Sequence, residues 1–462
     1  DYGCLDYLII DMPPGTGSET VNLFKYVRKI TGAIMVTIPS DIAEGVVRRG
    51  IVLCQKTETP IIGIIENMSG FTCPFCDKIT MQDYNSGKTL SREAEVPLLG
   101  KIPRDPIIVN AADKGHSFLL DDPDSDASLN FLNIVSGIEK KVGSKGTVCL
   151  DEIDQDQIEG PTMEIIEINV DHSCQGASCL SCGKYFQCMN PEKNDKFYVT
   201  RRLSPIKEAM GGIKHKIAVM SCKGGVGKST IAANLAVTLA QSVKKTAILD
   251  CDFHGPCIPK ILGVEGEGLK IGEKGIVPVR GASNVGIISV SFLIQLDEAV
   301  TWFDSLKKST VEQLLNGVDY GTLDYLIIDL PPGIGAESYG LLQFTPDLDG
   351  VIIITLPSEN PQAVSRRSIT LCRQAEVPII GIVENMSHFL CSSCHHTWRM
   401  CGNKKAARVA QETGVPFLGK IPLDDKVFEN CDDGEPFVTK YPDSAATQNL
   451  LRIARKLQEA VE

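Results

Sequence analysis

From Lys216 onward, short apolar runs rich in Val and Ile alternate with stretches of helical periodicity. The runs at Lys216 to Ser221, Thr246 to Asp250, Val285 to Val290, Tyr325 to Asp329, Val351 to Leu356, Pro378 to Val383 and Pro416 to Gly419 predict strands. Their apolar character is near-continuous rather than alternating, the pattern of parallel strands buried on both faces. Strand and helix in regular alternation predict an α/β fold, an open and mostly parallel sheet flanked by helices, with ligands gathered at the strand C-termini. The longest such runs, for example Val351-Ile352-Ile353-Ile354, fall far short of the roughly 20 residues that cross a bilayer, so no membrane partner is expected.

The same pattern occurs twice. Residues Asp1 to Glu19 match Asp319 to Glu337 except at Cys4/Thr322, Met12/Leu330, Thr16/Ile334 and Ser18/Ala336. Asp11 recurs as Asp329 and Glu66 as Glu384, while Gly100 recurs as Gly419, one residue later than that spacing requires. So long a period is a tandem duplication of a whole domain and not a solenoid. The expected organisation is a partial copy over 1–142 that starts at its late strand, an acidic linker over 143–162, a Cys-rich segment over 163–212, and a complete copy over 213–462. The linker carries Asp151-Glu152-Ile153-Asp154-Gln155-Asp156 and has no periodicity. The first copy has no glycine-rich loop in this chain.

Composition narrows the partners. A formal charge of -12 and 43% hydrophobic residues over 462 positions describe an acidic chain with ample core. That charge repels nucleic acid phosphates, and no Lys/Arg stripe offsets it, so nucleic acid is not expected as a partner. Seventeen cysteines, several in CxxC spacing beside a nucleotide motif, favour metal binding over disulfides and a cytoplasmic location. Isolated cysteines such as Cys54, Cys251, Cys372 and Cys431 read as packing residues.

The strongest chemical signal is Ser221-Cys222-Lys223-Gly224-Gly225-Val226-Gly227-Lys228-Ser229-Thr230, between a predicted strand and a predicted helix. Glycines there let backbone amides converge on phosphate oxygens at a helix N-terminus. Lys228 would neutralise the β and γ phosphates, and the Ser229 hydroxyl stands where Mg²⁺ is coordinated. Asp329 ends a strand at the same sheet edge and would hold the Mg²⁺ from the other side, with Leu330-Pro331-Pro332-Gly333 as a stiff turn beyond it. Asp250 and Asp252 end the strand after the loop helix, and Asp252 is the candidate to orient an attacking water. Asn385, at another strand end, offers an amide to the adenine edge.

Together, the early Lys223, the Asp250-Cys251-Asp252-Phe253-His254-Gly255-Pro256 string, the DxPPG turn and Glu384-Asn385-Met386-Ser387 followed by CxxC resemble the Mrp/ApbC family of iron-sulfur cluster carrier ATPases. That family lies within the deviant Walker A group that includes MinD. The resemblance covers Lys216 to Glu462 and again Asp1 to about Val142. It implies a dimerising ATPase using ATP and Mg²⁺, a Lys223 that reaches across to a partner's nucleotide, a CxxC pair on a bridging [4Fe-4S] cluster, and apo iron-sulfur proteins as recipients. The pattern departs at Ile334, where the family carries a polar residue as the first copy does at Thr16, so slow hydrolysis is expected.

Each copy supplies one CxxC pair, Cys73 and Cys76 after Asn67-Met68-Ser69, and Cys391 and Cys394 after Asn385-Met386-Ser387. Two thiolates are half of a four-thiolate site, so two domains must meet, either as a homodimer or as an intramolecular pseudo-dimer of the copies. Spacing alone leaves zinc and iron-sulfur equally open; the resemblance implies the cluster. Cys174, Cys179, Cys182 and Cys188 form a second metal candidate, in a polar segment with no core of its own. Its last three cysteines resemble the N-terminal cluster of the cytosolic scaffold branch, with a zinc knuckle as the competing reading. His395 and His396 read as exposed loop residues. A MinD/ParA-like positioning ATPase with structural zinc is the alternative function; it would require a basic patch or a membrane-binding helix, and the C-terminal helix ends in acids.

Overall fold

The computed structural model describes residues 4–13, 17–27, 30–73, 75–76, 79–80, 85–143, 148–149, 196–221, 223–253, 255–292, 304–391, 393–398, 405–424 and 433–462. The Cys174, Cys179, Cys182 and Cys188 set lies outside them.

The complete copy is built on an eight-stranded sheet. In spatial order its strands are Val279–Arg280, Gly286–Ser289, Thr246–Asp250, Leu323–Pro332, Ile213–Ser221, Gly350–Thr355, Ile379–Glu384 and Phe417–Lys420. Every neighbouring pair is parallel except the short edge strand Val279–Arg280, so the expected α/β sheet is the one found. Alternation along a strand with both faces covered explains the continuous apolar runs. Ile217 and Val219 join the core on one face, while Ala218 and Met220 join the core on the other. Helix Lys228–Gln241 is buried along most of its length, because Ala232, Ala233 and Ala236 let it lie close to the sheet and to the final helix Ala445–Val461. The helix Lys196–Met210 also belongs to this unit: Ile206 and Met210 are fully buried in its core, on the Cys-rich side of the expected boundary at 212/213.

The first copy repeats the late half of this plan. Its strands Ala33–Thr37, Ile61–Asn67 and Leu98–Ile102 form a parallel sheet in that order. Even the buried polar contacts recur. Glu66 accepts from the Gly87 amide at 2.7 Å and pairs with Lys101 at 2.7 Å, as Glu384 accepts from the Ala406 amide at 3.1 Å and pairs with Lys420 at 3.1 Å. One element differs from the repeat. Tyr7-Leu8-Ile9-Ile10 matches the central strand of the complete copy, yet it forms no strand and Ile9 is 91% exposed. The matching strand Leu323–Pro332 is held between Ile213–Ser221 and Thr246–Asp250, and the first copy has no counterpart of either in this chain. A central strand without flanking ladders has nothing to pair with. In the expected linker, Val148–Cys149 pairs antiparallel with Cys4–Leu5.

The two copies dock on each other. Phe71 and Cys73 of the first share one buried cluster with Phe389, Cys391 and Leu423 of the second. The Phe71 ring lies 4.5 Å from that of Phe389 and 5.3 Å from that of Trp398, and Phe75 stacks on His396 at 4.7 Å. Beside this contact, helix Asp41–Lys56 rests on the complete copy, with Ile42 against its core and Asp41 paired to Lys260 at 3.3 Å. No helix among the described residues is long and apolar enough to cross a membrane.

Removing the Phe71 ring should loosen this docking by about 3 kcal/mol. In a Trp302→Phe background, Phe71→Ala is expected to shift Trp398 emission to the red while far-UV dichroism changes little; unshifted emission would contradict the packing.

Candidate functional site

The strand Ile213–Ser221 ends under a turn that cannot be built from residues with side chains. Gly225 and Gly227 have φ of 74° and 77°, in the left-handed region. A Cβ on Gly227 would also stand 2.5 Å from the Asn385 amide nitrogen. The turn opens into a cavity of about 450 Å³ lined by Lys223, Gly224, Gly225, Val226, Gly227, Lys228, Ser229, Thr230, Asp252 and Asn385. The sequence candidates for the nucleotide therefore converge on one space at the N-terminus of helix Lys228–Gln241, where backbone amides and the helix dipole favour an anion.

Asp329 lies beneath the cavity, fully buried. Its Oδ1 accepts from Lys228 Nζ at 2.5 Å, and that ammonium is 3.0 Å from Ser229 Oγ. Burial opposes the charge on Lys228, but Asp329 and Asp252 hold its pKa above the ordinary value. Burial likewise pushes Asp329 up while Lys228 pulls it down; at this separation the ionised pair is the state we assign. Asp329 Oδ2 is buried with no hydrogen-bond partner. An orphaned carboxylate oxygen near a serine hydroxyl is a donor set suited to a hydrated Mg²⁺, so these residues fit that ion.

The remaining carboxylates have distinct surroundings. Asp250 is fully buried, accepts from Ser289 Oγ at 3.1 Å and from the Asp252 amide at 3.1 Å, and reaches the Ile258 amide. Burial, with Asp329 and Asp252 nearby, raises its pKa well above the carboxylate range. It is a fixed part of the floor. Asp252 is only partly buried, lines the cavity, and accepts from the Gly255 amide at 3.0 Å. Asn385 donates to the Val226 carbonyl at 2.7 Å, tying the end of one strand to the glycine-rich turn. Ile334 is 50% exposed.

Four residues past Asn385, Phe389 starts the hairpin that carries Cys391 and Cys394. Across the docking contact stand Cys73 and Cys76. The four Sγ atoms all lie within 4.8 Å of one another, with Cys73 to Cys394 and Cys76 to Cys391 both at 3.8 Å. Burial works against ionising Cys391, yet the amides of Cys394 and Ser393 and the neighbouring thiols bring its pKa down to about 7. Four thiols gathered this closely can chelate a metal or a cluster. His395 and His396 are exposed beside them, and Cys54, Cys251 and Cys372 are buried elsewhere in the cores, outside any disulfide.

The far wall of the nucleotide cavity belongs to the first copy: Pro13, Gly17, Ile38, Ser40, Ile42, Ala43 and Val46. No local motif marks these positions. Only the repeat could have revealed them, since docking that joins the CxxC pairs also brings the loop and helix after Ala33–Thr37 across from the glycine-rich turn. The facing copy offers no second glycine-rich turn, and Lys223 lines the cavity of its own copy.

Residues 1–139 and 212–458 match the family model described as ParA: NUBPL iron-transfer P-loop NTPase. An iron-sulfur cluster carrier protein of Saccharolobus solfataricus is 44% identical over 258 residues, 56% of this chain and 87% of its own. Another from Methanocaldococcus jannaschii is 39% identical over 290 residues, 63% of this chain and 98% of its own. Among solved structures, a nucleotide-binding protein of Archaeoglobus fulgidus in complex with ADP is 36% identical, covers 50% of this chain and 91% of its own, and superposes with a TM-score of 0.46.

Breaking the buried pair under the cavity should be costly. Lys228→Ala is expected to lower stability by about 3 kcal/mol, because Asp329 keeps a buried charge without its cation, and Asp329→Asn in the same chain should restore most of the loss. A urea midpoint unmoved by the single substitution would contradict the assignment of an ionised pair.

Proposed function

The chain belongs to the NUBPL iron-transfer P-loop NTPases, and from that premise we propose that it is an ATP-driven carrier that assembles a [4Fe-4S] cluster on Cys73, Cys76, Cys391 and Cys394 and passes it to apo iron-sulfur proteins. The observation that carries this reading is the convergence of four sulfurs from two copies of one domain within 4.8 Å. The cluster is cargo: it is held by thiolates at a surface between two units that can separate, and is released by exchange onto a recipient's thiolates. The intramolecular pseudo-dimer then takes the place of a homodimer.

ATP is the second substrate. Backbone amides of Gly224, Gly225, Val226 and Gly227 would cradle its phosphates, Lys228 and Thr230 would close on them, and Ser229 with Asp329 would hold Mg²⁺. When bound, that ion neutralises charge on the phosphate oxygens. Asp252 would accept the proton of the attacking water. Ile334, which has no polar group to offer phosphate or water, supports a slow turnover in which nucleotide acts chiefly as a latch. The link from latch to cargo is short. Val226 contacts Asn385, and Asn385 lies six residues before Cys391, so a change in the turn on loss of the γ phosphate reaches the thiolates through one hydrogen bond and one short strand.

A structural zinc site is the second reading, and one measurement favours it. The 3.8 Å sulfur separations match the edge of a tetrahedron with metal–sulfur bonds of about 2.3 Å. A four-iron core requires the two hairpins to stand further apart, which gives a reason for the copies to be docked rather than fused.

Anaerobic reconstitution distinguishes the two. The carrier reading expects about four iron and four acid-labile sulfide at this site per chain, lost in Cys73→Ser/Cys76→Ser and transferable to an apo-ferredoxin. Zinc alone, without sulfide or visible charge-transfer absorption, would contradict it. Lys223→Ala is a separate check on the role that the resemblance implies: a fall in ATP turnover of about 10³-fold supports contact with transition-state charge, and unchanged turnover rejects it.

A further inference from the structure

Helix Asp41–Lys56 of the first copy walls the nucleotide cavity of the complete copy and carries a cation beside that wall. On helix Asp41–Lys56, Ile42, Val46 and Arg49 fall on one face at helical spacing, and Ile42 and Val46 line the cavity. Val46 stands 3.3 Å from where a Cβ on Gly255 would be, in the turn that Asp252 closes. Arg49 is the next residue along that face. Its Nε is buried and has no hydrogen-bond partner. Burial opposes the charge on its guanidinium, and the Asp252 carboxylate favours it.

The repeat supplies an internal comparison. Arg367 occupies the matching place on helix Glu359–Gln374, and there it is exposed. Arg49 instead is partly buried beside the other copy's cavity. That cavity is lined by the carboxylates of Asp252 and Asp424 against Lys223 and Lys228, with Asp250 and Asp329 buried beneath it. A permanently charged guanidinium with an open donor is suited to hold one of them in place.

We propose that Arg49 is a positioning residue supplied by the first copy, which orients the Asp252 carboxylate for hydrolysis, so that turnover in the complete copy depends on the docked partner. This rests on the reading of Asp252 as proton acceptor. In the step it serves, a bond forms from the water oxygen to the γ phosphorus and the bond from that phosphorus to the bridging oxygen breaks. The electron pair stays on ADP, and the water proton passes to Asp252. Arg49 touches neither nucleotide nor water in that step. Its effect is on how often Asp252 points at the water, and hence on kcat rather than on nucleotide affinity. Lys223 cannot take this part within the chain, since it belongs to the same copy as the nucleotide it lines.

The test uses the full chain with Arg49→Gln, Arg49→Lys and, as a docking control, Asp41→Ala, which breaks an exposed contact between the same two copies. Steady-state ATP hydrolysis, together with iron and sulfide content, is measured on each. The expected result is a kcat at least tenfold lower in Arg49→Gln with KM for ATP within threefold of the parent, recovery to at least a third of parental kcat in Arg49→Lys, and kcat within twofold in Asp41→Ala. Parental kcat in Arg49→Gln, a matching loss in Asp41→Ala, or no rescue by lysine would each overturn the proposal. The metal analysis separates the two claims. A parent chain without iron and sulfide removes the carrier reading and leaves the kcat comparison to decide on Arg49; a loaded Arg49→Gln with parental kcat does the reverse.

Discussion

Four thiols cannot be brought within bonding reach of one inorganic centre by a domain that owns two of them, and the rest of this structure follows from that shortage. The solution is a second copy of the domain, whose three parallel strands and covering helices hold Phe71 and Cys73 in a defined place. The aromatic contact of Phe71 with Phe389 and Trp398 supplies an apolar floor, and the thiols sit at its edge. Burial of the rings gives the docking its strength; Cys73 and Cys391 are buried with them, while Cys76 is exposed and Cys394 partly so.

Docking has a second consequence. The geometry that joins the hairpins also lays helix Asp41–Lys56 across the mouth of the nucleotide cavity, so that one wall of an ATP site is made by a copy that has no phosphate-binding turn. One side of the cavity carries Lys223 to Thr230 and Asp252, with Asp329 beneath, and the other carries a helix whose face includes Ile42, Val46 and Arg49. Asn385 links the two centres, hydrogen-bonded to Val226 at one end and followed by the Cys391 hairpin at the other, and Met386 and Leu423 line the cavity while packing in the thiol cluster. Contiguous covalent and hydrogen-bonded structure therefore runs from the nucleotide cavity to the thiols.

Much of this was legible in the chain. Continuous Val/Ile runs gave the positions of the parallel strands along the chain because a strand covered on both faces has no need of polar alternation, as Ile217 to Met220 illustrate. The glycine-rich turn was legible because few other sequences can meet its backbone angles. Counting ligands showed that two CxxC pairs must meet but left open whether one chain or two would supply them; the docking of the copies brings Cys73 and Cys76 to Cys391 and Cys394. The behaviour of Tyr7 to Ile10 did not, since its sequence is nearly that of a buried central strand and only the absence of neighbours keeps it exposed. Arg49 was equally hidden. Nothing distinguishes it locally from Arg367, and its surroundings come from a partner surface more than two hundred residues away along the chain.

The central claim is that one chain completes one four-thiolate site. Cobalt(II) titration of the reduced chain, with Cys174, Cys179, Cys182 and Cys188 changed to Ser and particle mass followed by light scattering, tests it most directly. The account predicts about one cobalt per chain with the charge-transfer and tetrahedral bands of four thiolates, in a particle of one chain and at every protein concentration. Bands that grow only as chains pair, at about half a cobalt per chain, would contradict it.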